Sequence, residues 1–207
     1  MNLRQLRTTY DQRAPTYDES AAFGERLLLG NLRQAFGAEL RGTTLEVAIG
    51  SGLNLPFYTD AVTHATGVDL SAGMLAEAMS RARQLRLPIR FAQMDGQHLA
   101  FADASFDTVA VSLSLCTIPD PIAALREMAR VCRPEGRVVL LEHVLSPVWP
   151  VAALERLWSP FQERSIGCHL TRRTIETAGE LGFAIESERS RFCGVFRLVV
   201  ARPPGVR

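Results

Sequence analysis

At 207 residues, 47% apolar and 22% charged, the chain has the size and composition of one soluble globular domain with a full core. Its formal net charge of +1 provides neither the overall basic field that attracts nucleic acid nor an acidic tail, although local patches stay open. The opening MNLRQLRTTYDQRAP lacks the apolar stretch of a secretion signal and no run approaches the roughly 20 apolar residues of a membrane span, so a cytoplasmic protein is expected.

Residues 1 to 42 read as helical, because Phe23, Leu27, Leu28, Leu32 and Phe36 fall at spacings that share one apolar face. They are expected to form a lid or cap ahead of the first strand. From Thr44 to Asp69, a short apolar run leads through Glu46 and the turn Gly50-Ser51-Gly52 into a helix. A second apolar run then stops at Asp69, which completes a β-turn-α-β unit. Residues without a Cβ let backbone N–H groups approach a ligand closely. Ligands of parallel α/β sheets sit beyond the carboxyl ends of the strands. The turn and Asp69 therefore face one pocket, where Asp69 can accept two hydrogen bonds from a ribose diol.

Ser71 caps a helix through Leu85 that repeats Met74, Leu75, Ala78, Met79 and Ala82 at helical spacing, so both methionines read as core. Pro88 opens the strand IRFAQMD, which ends at the turn pair Asp95-Gly96. The fourth strand is FDTVAVS, closing at Ser112. Asp120-Pro121 begins a helix, since aspartate caps and proline fits the first turn, and Arg133-Pro134-Glu135-Gly136 turns into the strand RVVLLEH. Residues 144 to 170 break the α/β rhythm with Pro147, Trp149, Pro150, Trp158, Pro160 and Phe161 around a short helix from Ala152 to Leu157. Thr171 caps a helix to Glu180, Gly182 ends it, and FAIESER with GVFRLVVAR make a terminal antiparallel hairpin.

The Gly-rich turn is not a dinucleotide fingerprint: one register needs glycine at Leu55, the other at Ala48 and Leu53. Nor is it a P-loop, since no Lys-Ser or Lys-Thr follows. The pattern Glu46-x-Ala48-x-Gly50-x-Gly52 resembles the E/D-x-G-x-G-x-G loop of class I S-adenosylmethionine (SAM) dependent methyltransferases. Ala48 replaces the first glycine, a change expected to narrow the turn by a methyl group. Tyr10-Asp11-x-x-Ala14-x-x-Tyr17-Asp18 resembles the YDxxAxxYD entry segment of small-molecule methyltransferases. Ala104-Ser105-Phe106-Asp107 resembles their GSFD lead, and the stretch from Asp120-Pro121 to Gly136 resembles their D-P…L-x-E-M-x-R-V-x-R-P-x-G run.

The resemblance covers residues 44 to 200 and implies an α/β, Rossmann-like sheet of seven strands, six parallel and one antiparallel, with helices on both faces. It also implies a single domain over 1–207, with a helical lid at 1–42 and an acceptor-side insertion at 144–170. SAM is the implied cofactor, held by Tyr17, Glu46, Ala48, Gly50, Gly52, Asp69, Leu70, Met74, Asp95, Gly96 and Ser112. In that reading Tyr17 closes over the methionine end and Asp95 meets the adenine amino group. The alternatives are a helix-capping pair on a docked arm for the tyrosine segment and a plain strand-ending turn for Asp95-Gly96.

Methyl transfer from a sulfonium is an in-line displacement, and holding donor and nucleophile in near-attack geometry can supply up to about 7–11 kcal/mol. A general base is needed only when the acceptor must first lose a proton. The expected acceptor pocket draws on Cys116, Thr117, Glu142, His143, Trp149, Trp158 and His169, either with the insertion lying over the acceptor or with it bracing the core. Related sugar O-methyltransferases carry His-His where this chain has Cys116-Thr117. The features around Cys116, Glu142-His143 and Gly167-Cys168 look closest to thiol S-methyltransferases and also resemble bacterial phospholipid N-methyltransferases. His143 is the candidate base, its ordinary pKa of about 6.5 suiting proton removal; a histidine satisfied at a strand end is the other reading. His64 and His98 read as structural, and Cys116 is not expected to act as a covalent nucleophile.

The sequence therefore predicts a SAM-dependent methyltransferase acting on a small apolar molecule, first of all a thiol. A phospholipid, quinone or natural-product acceptor is the alternative, and a SAM-binding protein without methyl transfer, cyclase-like, is a second. An NAD(P) oxidoreductase is disfavoured by the missing third glycine. Cys116, Cys132, Cys168 and Cys193 form no CxxC or Cys/His spacing, so neither zinc nor a disulfide is expected. Membrane-surface contact stays open, although arginines are not concentrated beside the aromatic insertion.

Overall fold

The computed structural model describes residues 1–20 and 28–205; Phe23 and Leu27 of the expected apolar face lie outside these. Helix α1 (Leu3–Arg13) begins at a reciprocal cap in which Asn2 and Gln5 accept each other's backbone N–H at 2.9 and 3.0 Å, satisfying two donors that a helix start leaves open. A 3-10 turn (Ala14–Thr16) follows, and then α2 (Leu32–Glu39). The α/β body runs β1 (Gly42–Val47), β2 (Val62–Asp69), α3 (Ala72–Leu85), β3 (Ile89–Gln93), β4 (Phe106–Ser112), α4 (Pro121–Val131) and β5 (Cys132–His143). It closes with α5 (Trp149–Ile166), α6 (Thr174–Glu180), β6 (Ala184–Arg191) and β7 (Phe196–Arg202).

Among the described residues, seven strands form one sheet in the order β3-β2-β1-β4-β5-β7-β6. Strands β1 to β5 pair in parallel, and β7 runs antiparallel between β5 and β6, so six strands share one direction as expected. Both faces are covered, which is why the central strands read as continuous apolar runs. On one face Leu45, Val47, Val109, Val111, Val138 and Leu140 pack with Leu125 and Met128 of α4. On the other, Ala110, Val139, Leu141 and Leu198 pack against Leu32 and Phe36 of α2.

Local capping sets the helix starts that the sequence made legible. Ser71 accepts the Met74 N–H at 3.1 Å and Asp120 accepts Ile122 and Ala123 N–H at 3.0 Å each. Four elements differ from expectation. The β1–β2 connection holds only a 3-10 turn at Leu55–Phe57, because Asn54 is bonded back to Glu46 and Pro56 follows it. Strand β5 starts at Cys132, and the Arg133 to Gly136 turn becomes an irregularity in its register with β4. Helix α6 starts at Thr174 with Arg173 at the cap position and no side-chain cap, three residues after Thr171. Helix α5 runs 18 residues straight through Pro160, against the short helix expected.

Proline removes one intrahelical bond, yet α5 is tied down on its inner side. Glu155 accepts the Ser146 N–H at 2.8 Å, Ser159 accepts the Leu170 N–H at 3.1 Å, and Gly167 ends the helix at φ 76°. That inner face is Ala152, Glu155 and Ser159, small and polar. Leu154, Leu157, Trp158 and Phe161, spaced i, i+3, i+4 and i+7, are 67, 79, 54 and 60% exposed. The apolar stripe of α5 faces solvent. Among the described residues, no helix is long and apolar enough to cross a membrane.

Candidate active site

At the carboxyl ends of β1, β2, β3 and β4 lies a cleft of about 910 Å3, counting its open mouth. Its floor is the turn after β1. Ala48 there takes φ 51°, so the missing glycine costs more than the space of a methyl group: a left-handed L-residue is strained by about 1–2 kcal/mol. Gly50 has φ 59°, and a Cβ added to it would meet nothing within 4 Å, because it would point into the open cleft. Gly52 differs, since a Cβ there would come within 2.7 Å of Leu55. Gly52 serves packing of the turn, and it does not line the cleft.

Asp69 closes the floor by accepting the Gly50 and Ser71 N–H groups, both at 2.8 Å. Burial outweighs these bonds and pushes its carboxyl up to about 6. A carboxylate has roughly four acceptor positions, so two remain for a ligand diol. Glu46, fully buried, accepts from Asn54 Nδ2 at 2.5 Å and Tyr58 OH at 2.6 Å; burial raises its pKa. Arg33 of α2 donates to Asn54 Oδ1 and Ser112 Oγ at 2.6 and 3.2 Å, placing a cation at the β1/β4 end. Asp95 and Gly96 form the wall beyond β3, with Asp95 bonded to Gln97 at 2.8 and 3.0 Å. Met74 is both core and wall: its side chain is buried yet borders the cleft.

Helix α1 covers the cleft with Leu3, Leu6, Arg7 and Tyr10, and Tyr17 stands beside them, its ring 6.3 Å from that of Tyr10. What holds this lid is the pair of aspartates in the Tyr10 to Asp18 motif. Asp11 accepts from Ser71 Oγ at 2.6 Å and Gly73 N at 3.0 Å, and Asp18 accepts from Ser51 Oγ at 2.6 Å and from Arg81. The lid is thus latched to the glycine turn and to the start of α3. Sequence reasoning singled out the tyrosines and missed Asp11, Asp18, Arg33 and Asn54; the two aspartates were in the quoted motif, but their partners lie 33 and more residues away.

The structure brings Tyr17, Glu46, Ala48, Gly50, Asp69, Leu70, Met74, Asp95, Gly96 and Ser112 to this one cleft, and Thr117 with them. The remaining acceptor-side candidates lie outside its lining. Glu142 turns inward beneath the turn after β4, accepting Ser114 and Leu115 N–H at 3.0 and 3.1 Å, and burial drives its pKa to about 8. Its neighbour His143, pointing to the opposite face as strand alternation requires, packs edge-on against Phe196 and 3.4 Å from Glu155. Burial holds it neutral, with a pKa near 4, and its ring lies outside the lining of the cleft. Trp149 and Trp158 are exposed on α5. His169 faces Glu163 at 3.6 Å, and Cys116 lies behind Thr117.

A glycine turn with open space above it, a strand-end carboxylate with free acceptor positions, a second carboxylate one strand further on and a buried acid at the end of β1 are groups that fit SAM. Fold and cleft together define the class I methyltransferase architecture. Residues 45–140 match the methyltransferase domain family, and over that stretch the chain is similar to class I SAM-dependent methyltransferases.

It is 40% identical over 130 residues to a phosphatidylethanolamine N-methyltransferase of Cereibacter sphaeroides, covering 62% of this chain and 63% of that one. It is 33% identical over 156 residues to a thiol S-methyltransferase of Rattus norvegicus, covering 72% and 63%. The chain thus spans under two thirds of the length of either relative. In fold it matches a chain of the Haloferax volcanii Trm112–methyltransferase complex with a TM-score of 0.74 at 19% identity, over 95% of this chain and 98% of that one.

Proposed function

We propose that this protein binds SAM and transfers its methyl group to a small acceptor with an apolar body and a soft nucleophile, a thiol. The observation that carries the reading is the acceptor side of the cleft. Beyond the β4 end it is lined by Leu3, Leu6, Tyr10, Tyr17, Thr117 and Ile118, which present hydrocarbon, phenol and hydroxyl groups. Among the described residues, every carboxylate lining the cleft belongs to the Glu46, Asp69 and Asp95 set, and no imidazole lines it. Such a surface suits a nucleophile that ionises unaided, and a thiol with a pKa of about 8.5 is already partly thiolate at neutral pH. The protein's part would be positioning: Asp69 and Gly50 would hold the nucleoside, Arg33 would supply a cation for the methionine carboxylate, and α1 would keep water from the reacting centre.

A second reading, a phospholipid amine, is favoured by one feature: the outward apolar stripe Leu154, Leu157, Trp158 and Phe161 on α5, which suits an acceptor taken from a lipid surface. One experiment separates the two. The full chain is incubated with methyl-labelled SAM and either a hydrophobic thiol or phosphatidylethanolamine vesicles. S-methyl product is expected; methylated lipid without S-methyl product overturns the thiol reading, and no label in either acceptor overturns methyl transfer to these classes.

A further inference from the structure

The sequence scatters its four cysteines without a recognisable spacing, but the fold places two of them together. Cys116, in the turn after β4, and Cys168, after the end of α5, lie with their sulfurs 3.4 Å apart. Each is on an anchored backbone. The Cys116 turn is held from below by Glu142, which accepts the Ser114 and Leu115 N–H groups, and from the side by Arg172, which donates to Leu115 O and, at 2.6 Å, to Ile118 O. The Cys168 segment is bonded to that turn directly, His169 N donating to Cys116 O at 2.9 Å. Two chain segments fastened in this way hold their thiols in register, and only a shift of about 1.4 Å separates that spacing from the roughly 2.05 Å of a disulfide.

We propose that Cys116 and Cys168 form a reversible dithiol–disulfide site that takes hydrogen peroxide as oxidant and couples its redox state to the lid of the cleft. Cys168 is the partly exposed member and Cys116 is buried. The neighbouring Cys116 thiol, aided by Arg172, draws Cys168 below the ordinary thiol range, while the same contact pushes Cys116 up. A lowered pKa on an accessible thiol marks the one that attacks first.

The Cys168 thiolate displaces hydroxide from the peroxide O–O bond, giving a sulfenic acid. Cys116 then attacks that sulfur, expelling its hydroxyl, and its thiol proton leaves with it as water. Two thiols and one peroxide become one disulfide and two waters, and a small dithiol reverses the change by exchange. A pair of this kind fits a reducing compartment, where disulfides are transient and sensing.

The consequence for the cleft follows from the neighbours. Thr117, next to Cys116, lines the cleft. Gly167, next to Cys168, is packed so closely that a Cβ on it would lie 3.0 Å from Leu6 of the lid and 3.5 Å from Thr117. Tyr10 OH also donates to Ile166 O at 3.4 Å. Drawing the two sulfurs together therefore pulls the segment that α1 rests on, and lid motion is a common limit on turnover. This second half rests on the methyltransferase reading; the first half does not.

The test uses the full chain carrying Cys193→Ser, which removes the exposed thiol as a source of intermolecular bonds. After reduction and treatment with hydrogen peroxide, peptide mapping by mass spectrometry is expected to show Cys116 linked to Cys168, with the intact mass lowered by two hydrogens and restored by dithiothreitol. Cys168→Ser should form no link. Sulfinic acid at Cys168 with Cys116 untouched, or a link through Cys132 instead, overturns the site. SAM-dependent turnover of the linked protein is expected to fall by about fivefold and to recover on reduction, whereas Cys168→Ser is insensitive to peroxide. A linked protein with undiminished turnover overturns the coupling. A protein that forms the link but methylates nothing leaves the thiol site standing and counts against the methyltransferase reading, so the two failures are distinguishable.

Discussion

Replacing Asp69 by Asn tests how the floor of the cleft holds a nucleoside. The carboxylate accepts two backbone N–H groups and is raised by burial from 3.8 to about 6. A carboxyl with a raised folded-state pKa makes the folded chain bind more protons than the unfolded one between about pH 4 and 6. Its contribution to stability therefore falls as pH rises through that window, by about 3 kcal/mol in all. Asparagine keeps one acceptor oxygen but turns an amide donor toward the other N–H, a loss of about 1–3 kcal/mol, and it removes the cost of the buried charge. The two effects offset, so stability at pH 7 should change by no more than about 1–2 kcal/mol. SAM affinity has no such offset: ribose hydroxyls donating to an ionised carboxylate are worth about 1.5–3 kcal/mol, a 10- to 100-fold weaker Kd in the variant.

Because the bound cofactor favours the ionised form, wild-type affinity should rise with pH up to about 6 and then level, with proton release on binding below that point. The Asn variant should show neither. Titration calorimetry in two buffers of different ionisation enthalpy, beside thermal unfolding, measures all of this. An Asn variant that binds SAM with wild-type affinity, or keeps the pH dependence, refutes the placement of the ribose at Asp69.

Ala48→Gly and Ala104→Gly should each raise stability by about 1 kcal/mol in thermal unfolding, since both alanines sit at φ near 50° where glycine is unstrained. His143→Ala should leave turnover within about threefold and its pH profile unmoved, because the ring is outside the cleft lining. Its pKa is lowered from 6.5 to about 4, so its stability contribution is present above pH 6.5 and is lost as pH falls toward 4. A melting curve of wild type against variant over that range should therefore converge at the acid end. The double change Leu157→Glu and Trp158→Glu should abolish co-sedimentation with phosphatidylethanolamine vesicles and leave SAM binding intact; vesicle binding that survives it excludes the α5 stripe as the lipid contact.

What the sequence determined by itself was whatever depends on near neighbours. The caps at Ser71 and Asp120 act across two or three residues, the apolar runs of β1, β4 and β5 declare strands covered on both faces, and the glycine turn lies one strand before Asp69. That Gly50, Asp69, Asp95 and Ser112 meet at one cleft was legible for that reason, since strand ends in a parallel sheet converge whatever else the chain does. The acceptor half was not. Spacing of i, i+3, i+4 and i+7 shows that Leu154, Leu157, Trp158 and Phe161 share a face, but it carries no information on whether that face turns inward. The alternation of β5 likewise puts Glu142 and His143 on opposite sides without saying which side meets the cleft. Only tertiary packing decided these points, through bonds such as Asp18 to Ser51 and the approach of Cys116 to Cys168 across 52 residues. Contacts of that range depend on where whole elements dock, a balance of burial summed over the fold that no local stretch of the chain encodes.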